Sequence, residues 1–163
     1  MSNQRDLISD PVCGMMVDAK KIAVEYLGIH YAFCSEQCRD RFTANPHLYV
    51  GLPGCKAPKQ EGIEVIKRRR LRLASPLTSA QTNVLTLALR AMRGIQKIAA
   101  DGNQIEITYD LLQATAEQIE ARLAEIGVQL GEGWADRLHR AFVHYEEECE
   151  AGNLAVDERR CPG

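Results

Sequence analysis

Three cysteines and one aspartate at fixed offsets constrain this chain more than anything else in it. They read Asp10-Pro11-Val12-Cys13-Gly14-Met15 and then Cys34-Ser35-Glu36-Gln37-Cys38, with twenty residues between Cys13 and Cys34. A tetrahedral metal site takes four ligands, mostly thiolate and imidazole with an occasional carboxylate. A tight turn, a hairpin end and a helix start can bring such groups to one point. A helix start also favours thiolates, because its unpaired N–H groups and its dipole stabilise negative charge. Buried structural cysteines are the plainer alternative, and the spacing with its turn chemistry favours metal.

The rest of the chain is read around that stretch. Its 163 residues suffice for one ordinary domain or two small ones. A module of about 40–50 residues needs a staple such as a metal or a disulfide to be stable alone. The formal net charge of −2 gives no sign of a general nucleic-acid binder. Met1-Ser2-Asn3-Gln4-Arg5-Asp6 lacks the basic and apolar regions of a signal peptide, and no apolar stretch is long enough to span a membrane. The expected compartment is therefore the cytosol, where clustered thiols bind metal or react more often than they bridge.

Taken in order, residues 1–9 read as a disordered lead-in. Asp10 to Gly14 reads as a tight turn, with Pro11 fixing one φ and Gly14 allowing a left-handed one. Ile22, Val24 and Tyr26, then Tyr31 and Phe33, alternate about a turn near Leu27–Ile29, which predicts a β-hairpin. Ser35 is the expected N-cap of a helix over Glu36–Ala44, ended by Asn45-Pro46. Residues 51–62 hold two prolines and three glycines and read as a linker.

The hydrophobic pattern restarts at Ile63. Leu71 and Leu73 suggest a strand, Ser79 to Met92 a helix stopped by Gly94, and Ile95 and Ile98 a second strand. Asp101-Gly102-Asn103 reads as a hairpin turn before Ile105, Ile107 and Tyr109. Thr115 to Gln118 resembles a capping box for a helix to Ile126, with Gly127 as its C-cap and Val128 and Leu130 as a last strand. The order β-α-β-β-α-β predicts a ferredoxin-like arrangement, so the fold class is α+β. Beyond Gly133, the residues Trp134, Leu138, Ala141, Phe142, Tyr145 and Cys149 form one apolar stripe of a further helix. That stripe is expected to pack on the preceding domain, with a partner-binding helix as the lesser reading. The tail to Gly163, including Cys161, reads as frayed. The expected divisions are 8–50, a linker at 51–62, 63–131, and a helix with tail at 132–163.

Asp10-Pro11-Val12-Cys13-Gly14-Met15 with Tyr31-Ala32-Phe33-Cys34-Ser35 and Cys38 resembles a YHS domain, one of the TRASH-type treble-clef metal-binding modules. The resemblance covers about residues 8–50. It implies a treble-clef-like module that binds copper(I), zinc or another soft ion, and a role in metal sensing or trafficking. Such domains stand at the N-termini of heavy-metal P-type ATPases and in small proteins. Cys13, Cys34 and Cys38 fall on the family's cysteines. Asp10 stands where related clusters carry a further cysteine, and its ligation is open: a carboxylate suits zinc, whereas three thiolates suit copper(I). Met15 and Met16 carry candidate thioether ligands but are expected in the core. His30 and His47 are expected to be structural or solvated. Cys55 is expected to be an unbonded thiol.

Residues 68–130 resemble the heavy-metal-associated domain of copper chaperones, on Gly94-Ile95-Gln96-Lys97-Ile98, Ile105 to Asp110 and Thr115 to Gly127. That family binds copper(I) through a Cys-x2-Cys pair at the start of its first helix. The matching positions here are Thr78 and Gln81, whose oxygens are poor copper(I) ligands. The resemblance therefore implies a scaffold without its metal site. Cys149 is expected in the core, and a second site with His139 and His144 is disfavoured by spacing. Lys67-Arg68-Arg69-Arg70-Leu71-Arg72 and Glu146-Glu147-Glu148 read as solvated edges.

The expected function is a cytosolic soft-metal-binding protein, a chaperone, buffer or accessory to a metal-transporting P-type ATPase. Its partners would be the metal ion and such a trafficking protein, with no nucleic acid and no direct membrane insertion. The alternative is a structural zinc module beside a ferredoxin-like interaction scaffold. An enzyme is not expected: Cys34-x3-Cys38 lacks the Cys-x2-Cys spacing of thiol oxidoreductases.

Overall fold

A computed structural model describes residues 6–156. They form a mixed α+β protein of two compact units. One takes the chain up to Ile63 and again from Gly152; the other is Glu64–Ala151. The lead-in at 1–5 and the tail with Cys161 lie outside the described residues.

The first unit is two hairpins and a helix. Strands β1 (Leu7–Ser9) and β2 (Met16–Asp18) pair antiparallel, Ile8 opposite Val17. The expectation of a disordered lead-in therefore fails at Leu7–Ser9. Three residues carry no periodicity that a pattern could detect, and it is the pairing that makes them a strand. Their pairing turns Asp10–Met15 into a hairpin loop, closed by Asp10 N–H to the Met15 carbonyl at 2.8 Å. Strands β3 (Ala23–Tyr26) and β4 (Ile29–Ala32) form the expected hairpin around Leu27-Gly28. Both turn residues have positive φ, 51° and 74°, as a type I′ turn demands. Helix α1 (Glu36–Ala44) starts at Ser35, whose hydroxyl accepts the Cys38 N–H at 3.4 Å, and ends at Asn45 before Pro46.

Phe42 of α1 is the hub of this small core. Its ring centroid lies 5.0–5.9 Å from those of Tyr26, Tyr31, Phe33 and Tyr49, the range at which aromatic pairs attract beyond their buried area. Val12, Ala32, Phe33 and Leu48 are buried with it. The expected linker is ordered in part: Leu52 bridges Cys55, and Lys59–Glu61 form a 3-10 turn. Cys55 is disulfide-bonded, which corrects the unbonded thiol expected there.

The second unit is a three-stranded antiparallel sheet in the order β5-β7-β6, with helices against it. Strand β5 (Ile66–Arg72) is followed by α2 (Ser79–Arg90), β6 (Ile95–Asp101), β7 (Gln104–Asp110) and α3 (Ala116–Glu125). Leu71, Leu85, Leu89, Ile105, Ile107, Tyr109, Ile119 and Leu123 make the core. The expected last strand shrinks to a single bridge, Leu130 to Leu73. Gly94 enters β6 at φ +83°, and a Cβ there would come within 2.6 Å of Gln113 Cβ, so the position requires glycine. The basic run Lys67–Arg72 lies in β5, an edge strand of the sheet. Arg68 and Arg70 both clasp Glu106 of β7, at 2.6 and 2.9 Å, and hold its carboxyl below the usual range.

Helix α4 (Trp134–Ala155) completes the described chain. Its apolar stripe is exposed, which overturns the expectation that it packs on the preceding domain. Trp134 is 74%, Leu138 60%, Phe142 57% and Tyr145 64% exposed. Cys149 is exposed too, not core. The helix instead buries Val143, Glu147 and Ala151. Glu147 accepts hydrogen bonds from the Tyr109 hydroxyl and from the Ala116 N–H, the latter at 2.8 Å. A carboxylate at the first amide of α3 meets unpaired N–H groups and the positive end of the helix dipole. The inward face of α4 thus sets one polar anchor, Glu147, between two small apolar residues, Val143 and Ala151.

Candidate metal centre

The two hairpins and the helix start deliver four side chains to one place. The β1–β2 loop supplies Asp10 and Cys13, the end of β4 supplies Cys34, and the first turn of α1 supplies Cys38. One potential ligand atom from each lies within 4.8 Å of the others. Cys13 Sγ is 3.5 Å from Cys34 Sγ, which is 3.6 Å from Cys38 Sγ. Thiolates about 2.3 Å from a tetrahedral ion sit roughly 3.8 Å apart, so the sulfurs need move only a few tenths of an ångström to share an ion. Disulfide sulfurs are at about 2.05 Å, far closer than these.

Asp10 is 1% exposed, and its carboxylate is heavily used. One oxygen accepts the Val12 N–H at 2.8 Å and the Cys13 N–H at 3.3 Å. The other accepts the Cys34 N–H at 2.8 Å, tying the first hairpin to the second. Asp110 of the second unit does the same with no cysteine in its cluster: it accepts from Val65 N–H, Leu112 N–H and the Gln113 amide. A buried aspartate that gathers amides is thus a turn device in this protein in its own right. A carboxylate offers about four acceptor sites, and Asp10 spends three on amides.

The thiols differ in their readiness to ionise. Cys13 is pulled down to about 6, first by its interaction with the Cys38 thiol, then by the Met15 backbone, against the cost of partial burial. Cys38, fully buried on α1, is pushed up by the same pairing and by desolvation. The first negative charge of the cluster therefore falls on Cys13, while Cys38 holds its proton.

The other sulfur and nitrogen candidates fall elsewhere. Met15 and Met16 are exposed rather than core. His30 engages the Ala19 carbonyl and His47 the Tyr26 hydroxyl at 3.2 Å. His144 Nε2 is 2.8 Å from Glu120 on α3. Thr78 and Gln81 form a capping box at the start of α2, each side chain bonded to the other's backbone N–H. Sequence reasoning missed what Asp10 does; the signal was available, since an aspartate opening a Pro-containing turn is the usual acceptor for amides two and three residues on.

Comparison with known proteins agrees with this geometry. Residues 8–52 match the YHS domain family. A 46-residue stretch is 46% identical to part of a copper-transporting P-type ATPase of Rhizobium leguminosarum bv. viciae. That stretch is 27% of this chain and 6% of the relative, so the chain spans a small fraction of that protein's length. No solved structure matches the chain. The N-terminal part of this protein is thus a YHS domain, a metal-binding type of module, carrying a Cys/Asp cluster suited to a soft ion.

Proposed function

We propose that Cys13, Cys34 and Cys38 bind copper(I) as thiolates, and that the protein works in heavy-metal handling as a chaperone, buffer or accessory to a P-type ATPase. The observation that carries this reading is the convergence of three sulfurs at 3.5 and 3.6 Å on two hairpins and a helix start. Soft thiolates select copper(I), and likeness to part of a copper-transporting ATPase supports the same metal. Asp10 holds the loop so that Cys13 and Cys34 face one another. Two half-buried thiols leave the ion reachable by an incoming ligand, which transfer requires. The reading assigns no catalysis to the chain and places it in the cytosol. Among the described residues, no helix is long and apolar enough to cross a membrane.

The first unit is treble-clef-like in this account and the second a ferredoxin-like scaffold. The order β5-α2-β6-β7-α3 and the bridge from Leu130 to Leu73 support the latter. Its capping box at Thr78 and Gln81 replaces thiols with helix capping, so the scaffold serves interaction and the first unit serves metal.

A second reading rests on Asp10. Its remaining acceptor site makes a Cys3Asp set, which suits a closed structural zinc. Competition against a chromogenic copper(I) chelator, under reducing anaerobic conditions, separates the two. The copper reading expects one ion per chain, handed to the chelator within seconds to minutes, with Asp10→Asn leaving its affinity within a few-fold. A metal that resists the chelator while the fold persists, and that is lost in Asp10→Asn, gives the site to zinc.

A further inference from the structure

Helix α4 carries charged and basic side chains along both edges of its apolar stripe. On the stripe's two flanks lie Arg137 and Glu148 on one side, His139 and Glu146 on the other, all exposed. A basic side chain (arginine or histidine) occupies the N-terminal half and an acid the C-terminal half of each flank. Glu146 reaches Arg69 only at 3.9 Å. Arg137–Glu148 and His139–Glu146 are both centred on the same point, between Phe142 and Val143. The apolar pairs Leu138–Cys149 and Phe142–Tyr145 are centred one residue further on, about 1.5 Å along the axis.

We propose that a second copy of this chain covers this face, with α4 packed antiparallel on α4 about a two-fold axis near Val143. In an antiparallel pair each flank faces its own counterpart. Arg137 then stands beside Glu148 of the other copy, two opposite-charge contacts in all, and His139 beside Glu146, where the imidazole N–H can donate to the carboxylate. Leu138 meets Cys149, and Phe142 meets Tyr145, so the large apolar groups alternate along the seam. A parallel pair brings Arg137 and His139 of both copies together, and likewise the acids, and like charges oppose it. The face is self-complementary, as a two-fold interface must be. It also answers why α4 hides a carboxylate and shows a tryptophan: Glu147 anchors the helix to its own unit, and the apolar stripe is left for another chain. Contiguous exposed apolar surface of this kind marks interaction sites.

Sedimentation velocity on the full chain, with its Cys55 disulfide kept, tests this from low to high micromolar concentration. The expected mass is twice the 18.2 kDa of one chain. Phe142→Glu should give a monomer with unchanged circular dichroism. Arg137→Glu or Glu148→Arg should each raise the dimer Kd roughly tenfold, from two contacts per interface turned repulsive. The double variant Arg137→Glu/Glu148→Arg should restore the parent value. Leu138→Cys should cross-link to Cys149 of the other copy on oxidation. A parent chain that stays monomeric at every concentration overturns the proposal, and so does a dimer that survives Phe142→Glu. A Cys149–Cys149 link in the parent dimer overturns the antiparallel register. A monomer whose single tryptophan, Trp134, shifts its emission on phosphatidylglycerol vesicles gives the stripe to lipid and overturns it as well.

Discussion

Asp10 and Asp110 solve one problem in two places: a turn that buries its amides needs an acceptor, and a short carboxylate supplies it. Removing Asp10 leaves three amides without that acceptor, and buried unpaired N–H groups are costly. Asp10→Ala is expected to destabilise the first unit by about 2–4 kcal/mol, read by chemical denaturation of the metal-free chain. A change below half a kcal/mol would show that water replaces the carboxylate readily. The thiols make a second residue-level prediction. In the metal-free protein, Cys13 is a thiolate down to about pH 6, whereas Cys38 stays protonated and shielded. Alkylation followed by peptide mass spectrometry should modify Cys13 well before Cys38 at neutral pH. The Cys13 rate should fall as pH drops through about 6, where its thiolate is lost. Faster labelling of Cys38 would reverse the assignment.

At the scale of elements, α4 is where burial and polarity compete most openly. Glu147 is 3% exposed and bonds both Tyr109 and the start of α3. Glu147→Ala strands a hydroxyl and an amide and should cost the second unit about 2–4 kcal/mol, whereas Glu148→Ala, exposed on the same helix, should cost nearly nothing. Equal effects would contradict the packing described. Thr78→Ala removes half of a capping box and should cost about 1 kcal/mol without changing metal content. These contrasts also explain what could be read in advance. Helix starts at Ser35 and Thr115 were legible because a cap is a local bargain between one side chain and the next turn. The Leu27-Gly28 hairpin was legible for the same reason. Strand β1 was not, because three residues become a strand only through a partner. The face of α4 was not, because an apolar stripe signals burial against something without saying whether that is the same chain. The site itself lay half-way: its cysteines were visible in their spacing, while the three-amide role of Asp10 emerged only once the two hairpins were tied together.

At the scale of the molecule, the YHS domain at residues 8–52 and the second unit, Glu64–Ala151, are separate stretches of the chain. The Cys/Asp cluster sits wholly within the first unit, so its geometry depends on neither α2 nor the capping box there. Loss of the cluster should therefore be local: Cys34→Ser is expected to abolish metal binding while leaving the second unit's hydrogen-exchange protection unchanged. The most direct measurement is metal content and stoichiometry by elemental mass spectrometry, on chain purified without oxygen from copper-supplemented cells, with Cys34→Ser alongside. The account predicts one copper per parent chain and none in the variant. Copper retained by Cys34→Ser, or a parent chain that carries no metal while its three thiols remain reduced, would contradict it.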